Sequence, residues 1–120
     1  MREVLNLLLD VTPTTWGSEK DAKRKEDIRR EIKKQIPEYN EKYIENLINN
    51  CQEIELIISC YLPFPEAKDI GNLAKIPMDA VLFSANKEIG YTTWEAKVTS
   101  LIVKKIKNST PKLGIVINVK

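Results

Sequence analysis

The chain predicts an α+β fold: one small domain with a four-stranded mixed sheet, helices packed on one face, and the order β-α-α-β-α-β-β. Three observations predict it. Short apolar runs at 3–11, 53–62, 98–106 and 113–119 read as strands, and the first three end in proline-containing turns. Two charged stretches with apolar residues at helical spacing stand between the first run and the second. Only the turn Asn108-Ser109-Thr110-Pro111 separates the last two runs, which leaves no room for a helix there.

Taken in order, EVLNLLLDV is stopped by Thr12-Pro13, and TPTTWGS (12–18) is a loop. Ser18, followed by Glu19 and Asp21, signals a helix start with acidic residues in its first turn. Residues 19–36 then carry one narrow apolar stripe of Ala22, Ile28, Ile32 and Ile36. The rest of that helix is the most basic surface in the chain, with Lys23, Arg24 and Arg30 among its cations. It is either a solvated face balanced by i,i+4 pairing with Glu26, Asp27 and Glu31, or a phosphate-contacting surface. Pro37 breaks it and opens a second helix, with Tyr39, Tyr43, Ile44, Leu47 and Ile48 at helical spacing and Asn49-Asn50 as its stop. EIELIISCYL is a strand closed by Pro63 and Pro65. A short helix follows with Leu73, Ile76, Ala80 and Val81 apolar, and Pro77 predicts a kink or a restart within it. In the last strand Val116 is expected on the face opposite Ile115 and Ile117.

Composition bounds the chemistry. A chain of 120 residues with 42% hydrophobic and 30% charged residues suits one globular domain. The formal net charge of +2 names no partner, because the local field is what a partner meets. There is no histidine, so histidine-based zinc sites and Ser-His-Asp or Cys-His catalysis are excluded. Cys51 and Cys60 fit no metal or redox spacing and read as two reduced thiols, with Cys60 in the core. The opening run is too short for a signal h-region or a membrane span, so a soluble, cytoplasmic protein is expected.

The stretch EAKDIGNLAKIPMDAV (66–81) carries the candidate site. Asp69 follows a strand in the loop that opens a helix, a good place for chemistry because the scaffold fixes the backbone while the side chain stays near solvent. It reads either as a helix N-cap or as one ligand of a divalent metal. Lys75 and Asp79 are i,i+4, a simple surface ion pair or part of the same site. Mg²⁺ needs several hard oxygen ligands, so Glu66, Asp79, Glu88 and Glu95 are the carboxylates that can join Asp69. A nearby lysine would stabilise charge on phosphate oxygens.

From its second strand onward the chain resembles the RusA family of Holliday junction resolvases. That family carries an apolar strand, then D-x-D-N-x-x-K opening a helix that ends in an apolar-D-A pattern, then an acidic residue before a strand. Asp69, Asn72, Lys75 and Asp79-Ala80 fall on the motif, and Glu95 in WEAKV falls on the later acid. Upstream, a strand, a proline loop and a basic helix look similar too, with an insertion at 37–50. The resemblance implies a homodimeric, Mg²⁺- or Mn²⁺-dependent endonuclease that cuts four-way DNA junctions in recombination and repair. Asp69 and Glu95 would hold the metal, with Asp79 as a possible substitute ligand, and Lys75 would support catalysis. No small-molecule cofactor and no membrane partner are implied.

The sequence departs from the motif at one position: Gly71 stands where the family has its second acid. Three readings follow: an active endonuclease with an altered ligand set, a junction-binding relative that no longer cuts, or an unrelated α+β interaction domain. Both DNA readings need Lys68, Lys75, Lys97 and the basic helix (20–34) to form one continuous surface, with Asn72 alongside. Trp16 either stacks on an unpaired base or anchors its loop on the sheet; Trp94 either shapes the site wall or is buried.

Overall fold

The computed structural model describes residues 1–36, 38–84 and 94–120, and of residues 38–41 and 82–84 it describes the backbone alone. The elements are β1 (Arg2–Leu9), α1 (Asp21–Gln35), α2 (Glu38–Asn49), β2 (Ile54–Leu62), α3 (Ile70–Leu73), α4 (Lys75–Ser84), β3 (Val98–Lys107) and β4 (Lys112–Val119). The expected order holds, with the third helix divided into α3 and α4. Glu88 and Pro37 lie outside the described residues.

The four strands form one mixed sheet in the order β1-β4-β2-β3. β4 runs antiparallel to both β1 and β2, while β2 and β3 are parallel. A parallel pair cannot be closed by a tight turn, so the chain crosses back through α3 and α4. In β2 the alternation is complete: Ile54, Leu56, Ile58, Cys60 and Leu62 are buried, and the residues between them are half-exposed. β4 repeats it with Leu113, Ile115, Ile117 and Val119 buried and Val116 facing the other way. One face of the sheet therefore makes the core with Ile28 of α1, Ile48 of α2, Leu73 of α3 and Ile76, Ala80 and Val81 of α4. The other face is open and leaves Leu8 54% and Ile102 37% exposed.

α1 begins two residues later than its charge pattern suggests. Gly17 takes a positive φ of 110°, which a glycine tolerates and an L side chain does not. That turn aims the Gly17 and Ser18 amides at the Asp21 carboxylate, at 2.8 and 3.3 Å. The Gly17 amide is the main reason the Asp21 carboxyl titrates below its ordinary value; burial opposes it as the next largest effect, and the Ser18 amide, Arg24 and Lys25 each add a smaller lowering. Along α1, Arg29–Glu26, Arg30–Asp27 and Lys34–Glu31 pair at 3.0–3.1 Å. These pairs are i,i+3, so the acids balance the basic face with a spacing one residue shorter than expected.

Pro77 does not kink a helix. The break comes earlier, at Ala74, and α4 restarts at Lys75. Pro77 then occupies the third position of α4, where an amide would have no partner within the helix in any case. The first N–H that closes a turn is that of Met78, donating to the Ala74 carbonyl at 3.0 Å.

Both cysteines are free thiols. Burial raises both, and Cys60, in the sheet core, is pushed up to about 11.

Candidate nucleic-acid interface

Asp69 is the N-cap of α3. Its backbone is extended, and its Oδ1 accepts from the Gly71 N–H at 2.9 Å, which satisfies one of the amides that a helix start leaves open. The carboxylate is exposed, so capping does not remove it from solvent. Gly71 has no positive φ, and a Cβ built there would meet only Asp69 Oδ1, at 3.4 Å, an ordinary contact. Nothing in the backbone therefore demands a glycine at this position.

Asn72, the residue after Gly71, ties the motif helix to the proline loop. Its backbone carbonyl accepts from the Trp16 N–H and its Oδ1 from the Trp16 indole, both at 3.2 Å. Trp16 keeps 53% of its surface exposed, so it anchors the loop by two hydrogen bonds and still presents a ring face to solvent.

Lys75 and Asp79 pair along α4 at 3.3 Å, and Lys25 of α1 approaches the other carboxylate oxygen at 3.7 Å. The Asp79 side chain is only 16% exposed, and its Oδ1, although near Lys75, has no hydrogen bond of good geometry. Beside it the Arg29 guanidinium donates to the Ala80 carbonyl at 3.4 Å. Asp79 is therefore a helix-bridging carboxylate between two lysines, which holds α4 to α1. Lys25 as its second partner was not legible in sequence, because the pairing crosses between helices. Arg24 donates to the Thr15 carbonyl at 3.3 Å, and Lys23, Arg24 and Arg30 line the same cleft above Ile76.

Lys68 sits at this end of the sheet as well. Its carbonyl accepts from Lys105 Nζ at 2.8 Å, and Lys105 pairs with Cys60 in the β2–β3 ladder. Asp69, Asn72, Lys75, Lys68, Trp16 and the start of α1 are thus brought to the end of the sheet where β2 finishes.

Glu95 and Lys97 belong to the other end. The Lys97 carbonyl accepts from the Ile54 N–H, at the first residue of β2. The levels of Ile54 and Cys60 are six residues apart, about 20 Å at roughly 3.3 Å per residue. Lys97 Nζ is committed to the last carbonyls of α2, donating to Ile48 at 3.1 Å and Asn49 at 2.9 Å. It caps a helix, as a lysine at a C-terminus does well. Trp94 is fully buried, and its indole donates to Asn49 Oδ1 at 2.7 Å, so burial is its role.

Among the described residues no group of three Asp, Glu or Cys side chains converges to hold a metal ion. Asp69 has Gly71 beside it in place of a carboxylate, and Asp79 is engaged by two lysines. By themselves, then, the described residues do not fit a three-carboxylate Mg²⁺ centre at Asp69. No protein-family model matches the chain, and no curated protein matches it significantly. None of the described helices is long and apolar enough to cross a membrane.

Proposed function

We propose that this chain is a RusA-like protein that binds branched DNA, a four-way junction above all, through the end of the sheet where β2 finishes. The observation that carries the reading is the double hydrogen bond between Trp16 and Asn72. It places a solvent-facing aromatic ring between the motif helix and the basic first turns of α1, the combination of stacking surface and cations that unpaired nucleic acid needs. Lys68, Lys23, Arg24 and Arg30 are the phosphate contacts of that surface; Lys97, expected among them, caps α2 at the other end of the sheet and takes no part. Asn72 positions the tryptophan, so its part in binding is indirect. A soluble, cytoplasmic homodimer belongs to this reading, the second copy covering part of the open sheet face.

The second reading is the Mg²⁺- or Mn²⁺-dependent endonuclease. Asp69 and Lys75 favour it, since both stand at the motif's positions on one end of the sheet and Asp69 is open to solvent. It requires carboxylates beyond Asp69, and Glu95 stands at the far end of β2.

One assay separates the readings. Binding to a four-way junction is scored without metal across a salt series, then cleavage with Mg²⁺ and with Mn²⁺. The DNA-binding reading expects affinity that falls steeply with salt, because neutralised phosphates release counterions. It also expects no cleavage, and weaker binding in Trp16→Ala. Cleavage abolished by Asp69→Asn, which keeps the cap, establishes the enzyme instead. Gly71→Asp fits the backbone and restores the missing carboxylate, so cutting gained in that variant identifies a resolvase scaffold that lost one ligand. No junction binding in any variant overturns both readings.

A further inference from the structure

β3 is an edge of the sheet and pairs with β2 alone. Which of its backbone groups stay open follows from one hydrogen bond. The Asn108 N–H donates to the Leu62 carbonyl at 2.9 Å, so the alternate residues before it, Ile106, Lys104 and Ile102, bond to β2. The N–H and C=O groups of Leu101, Val103, Lys105 and Lys107 therefore point away from the sheet. Among the described residues none of these groups has a hydrogen-bond partner.

Side chains leave this edge uncovered on both faces. Leu101 shares the core face with Leu56, its partner in the ladder, and is still 44% exposed. Ile102 is exposed on the open face. Residues 98–103 carry no charge, no proline and no glycine, the composition of a strand that pairs readily. Edges are ordinarily blunted by charges along their length. Here the charges stand only in the second half, as Lys104, Lys105 and Lys107, and no Asp or Glu follows Glu95 in the sequence. Lys105 Nζ is held by the Lys68 carbonyl at 2.8 Å. Lys104 and Lys107 are exposed and pair with no acid among the described residues.

We infer that β3 is a docking edge for an extended acidic segment of another protein, which adds to the sheet as one more strand. Backbone pairing with Leu101, Val103, Lys105 and Lys107 supplies the affinity. Apolar side chains of the segment cover Leu101 and Ile102, and its carboxylates meet Lys104 and Lys107. Charge decides the occupant. A second copy of β3 brings its own lysines and no acid. A nucleic acid meets the lysines but has no strand backbone to satisfy the open amides and carbonyls. None of these residues is a DNA contact of the proposed function, so the inference does not rest on that reading.

The test is titration of the full chain with a labelled peptide of alternating valine and threonine in which glutamates replace the threonines of the first half. An antiparallel strand sets that half beside the lysines. A second peptide carries lysines in place of the glutamates. Fluorescence anisotropy reads the affinity, and amide hydrogen exchange reads the place. The acidic peptide should bind about ten-fold or more tightly than the lysine peptide. It should slow exchange at the amides of Leu101, Val103, Lys105 and Lys107 and leave those of Ile102 and Lys104, already bonded to β2, unchanged. Lys104→Glu/Lys107→Glu, a change of two exposed side chains, should reverse the preference between the peptides, which a damaged fold would not do. No binding, equal binding of both peptides, or binding that leaves the outward amides as fast as before overturns the inference. Protection of the same amides that rises with protein concentration in the absence of peptide assigns the edge to a second copy and overturns the acidic partner.

Discussion

Asn49 shows how much one side chain can hold. Its Oδ1 takes the indole N–H of fully buried Trp94, and its backbone carbonyl takes Lys97. In Asn49→Ala the indole donor is left buried without an acceptor, which costs about 1–3 kcal/mol. Asn49→Asp keeps the acceptor and should retain most of that stability. Urea unfolding of the three proteins measures it; an Asn49→Ala chain within about 0.5 kcal/mol of the parent would mean that water replaces the bond. The sequence marked Asn49 only as a helix stop, because the partner lies 45 residues away. For Trp94 the sequence left a site wall and burial equally open, and burial is what holds. Asp69 was readable as a cap from its position before an apolar-periodic stretch, and the Gly71 amide confirms that role.

At the scale of an element, the turn into α1 depends on a charge. The folded-state carboxyl of Asp21 titrates below the ordinary 3.8, so the chain with Asp21 ionised is favoured in the folded state. That contribution is fully present above pH 3.8. It fades as pH falls below 3.8, where the unfolded chain takes up its proton first, and it is gone below the folded-state value. Asp21→Asn should therefore melt at a lower temperature than the parent at pH 5 to 7, and the gap should close as pH falls below 3.8. Paired thermal melts across that range measure it, and a gap independent of pH would mean that the turn depends on geometry alone. The boundaries of α3 and α4 belong to this scale as well. Pro77 announced a break, but its place at Ala74 was set by how Leu73 and Ile76 both reach the core, at 0% and 1% exposure.

Over the whole molecule, the sheet has two unequal faces, and substitutions on neighbouring residues of β2 should show it. Ile58 is fully buried, so Ile58→Ala should cost about 2–5 kcal/mol, the transfer of the lost methylenes plus the cavity left behind. Ile57, its neighbour on the open face, is half-exposed, and in a single copy of the chain Ile57→Ala should cost less than half as much, whereas a second copy seated over it, as in the proposed homodimer, raises that cost toward the Ile58 value. Denaturant unfolding compares the two. An equal loss would mean that the open face is covered in solution, as the proposed homodimer requires, and sedimentation of the same samples then reports the second copy.

The sequence by itself determined the type and order of the elements, since period-2 and helical apolar patterns, proline stops and charged stripes are local properties of the chain. It also determined that histidine chemistry is excluded, and it marked Asp69 as a cap. Only the tertiary structure decided which distant residues meet. It joined Asn72 to Trp16 and Lys25 to Asp79, and it set Glu95 at the other end of β2 from Asp69. The reason is that a strand rises about 3.3 Å per residue, so two motif positions flanking the β2–β3 crossover stand near or far according to strand direction, and a parallel pairing sends them to opposite ends.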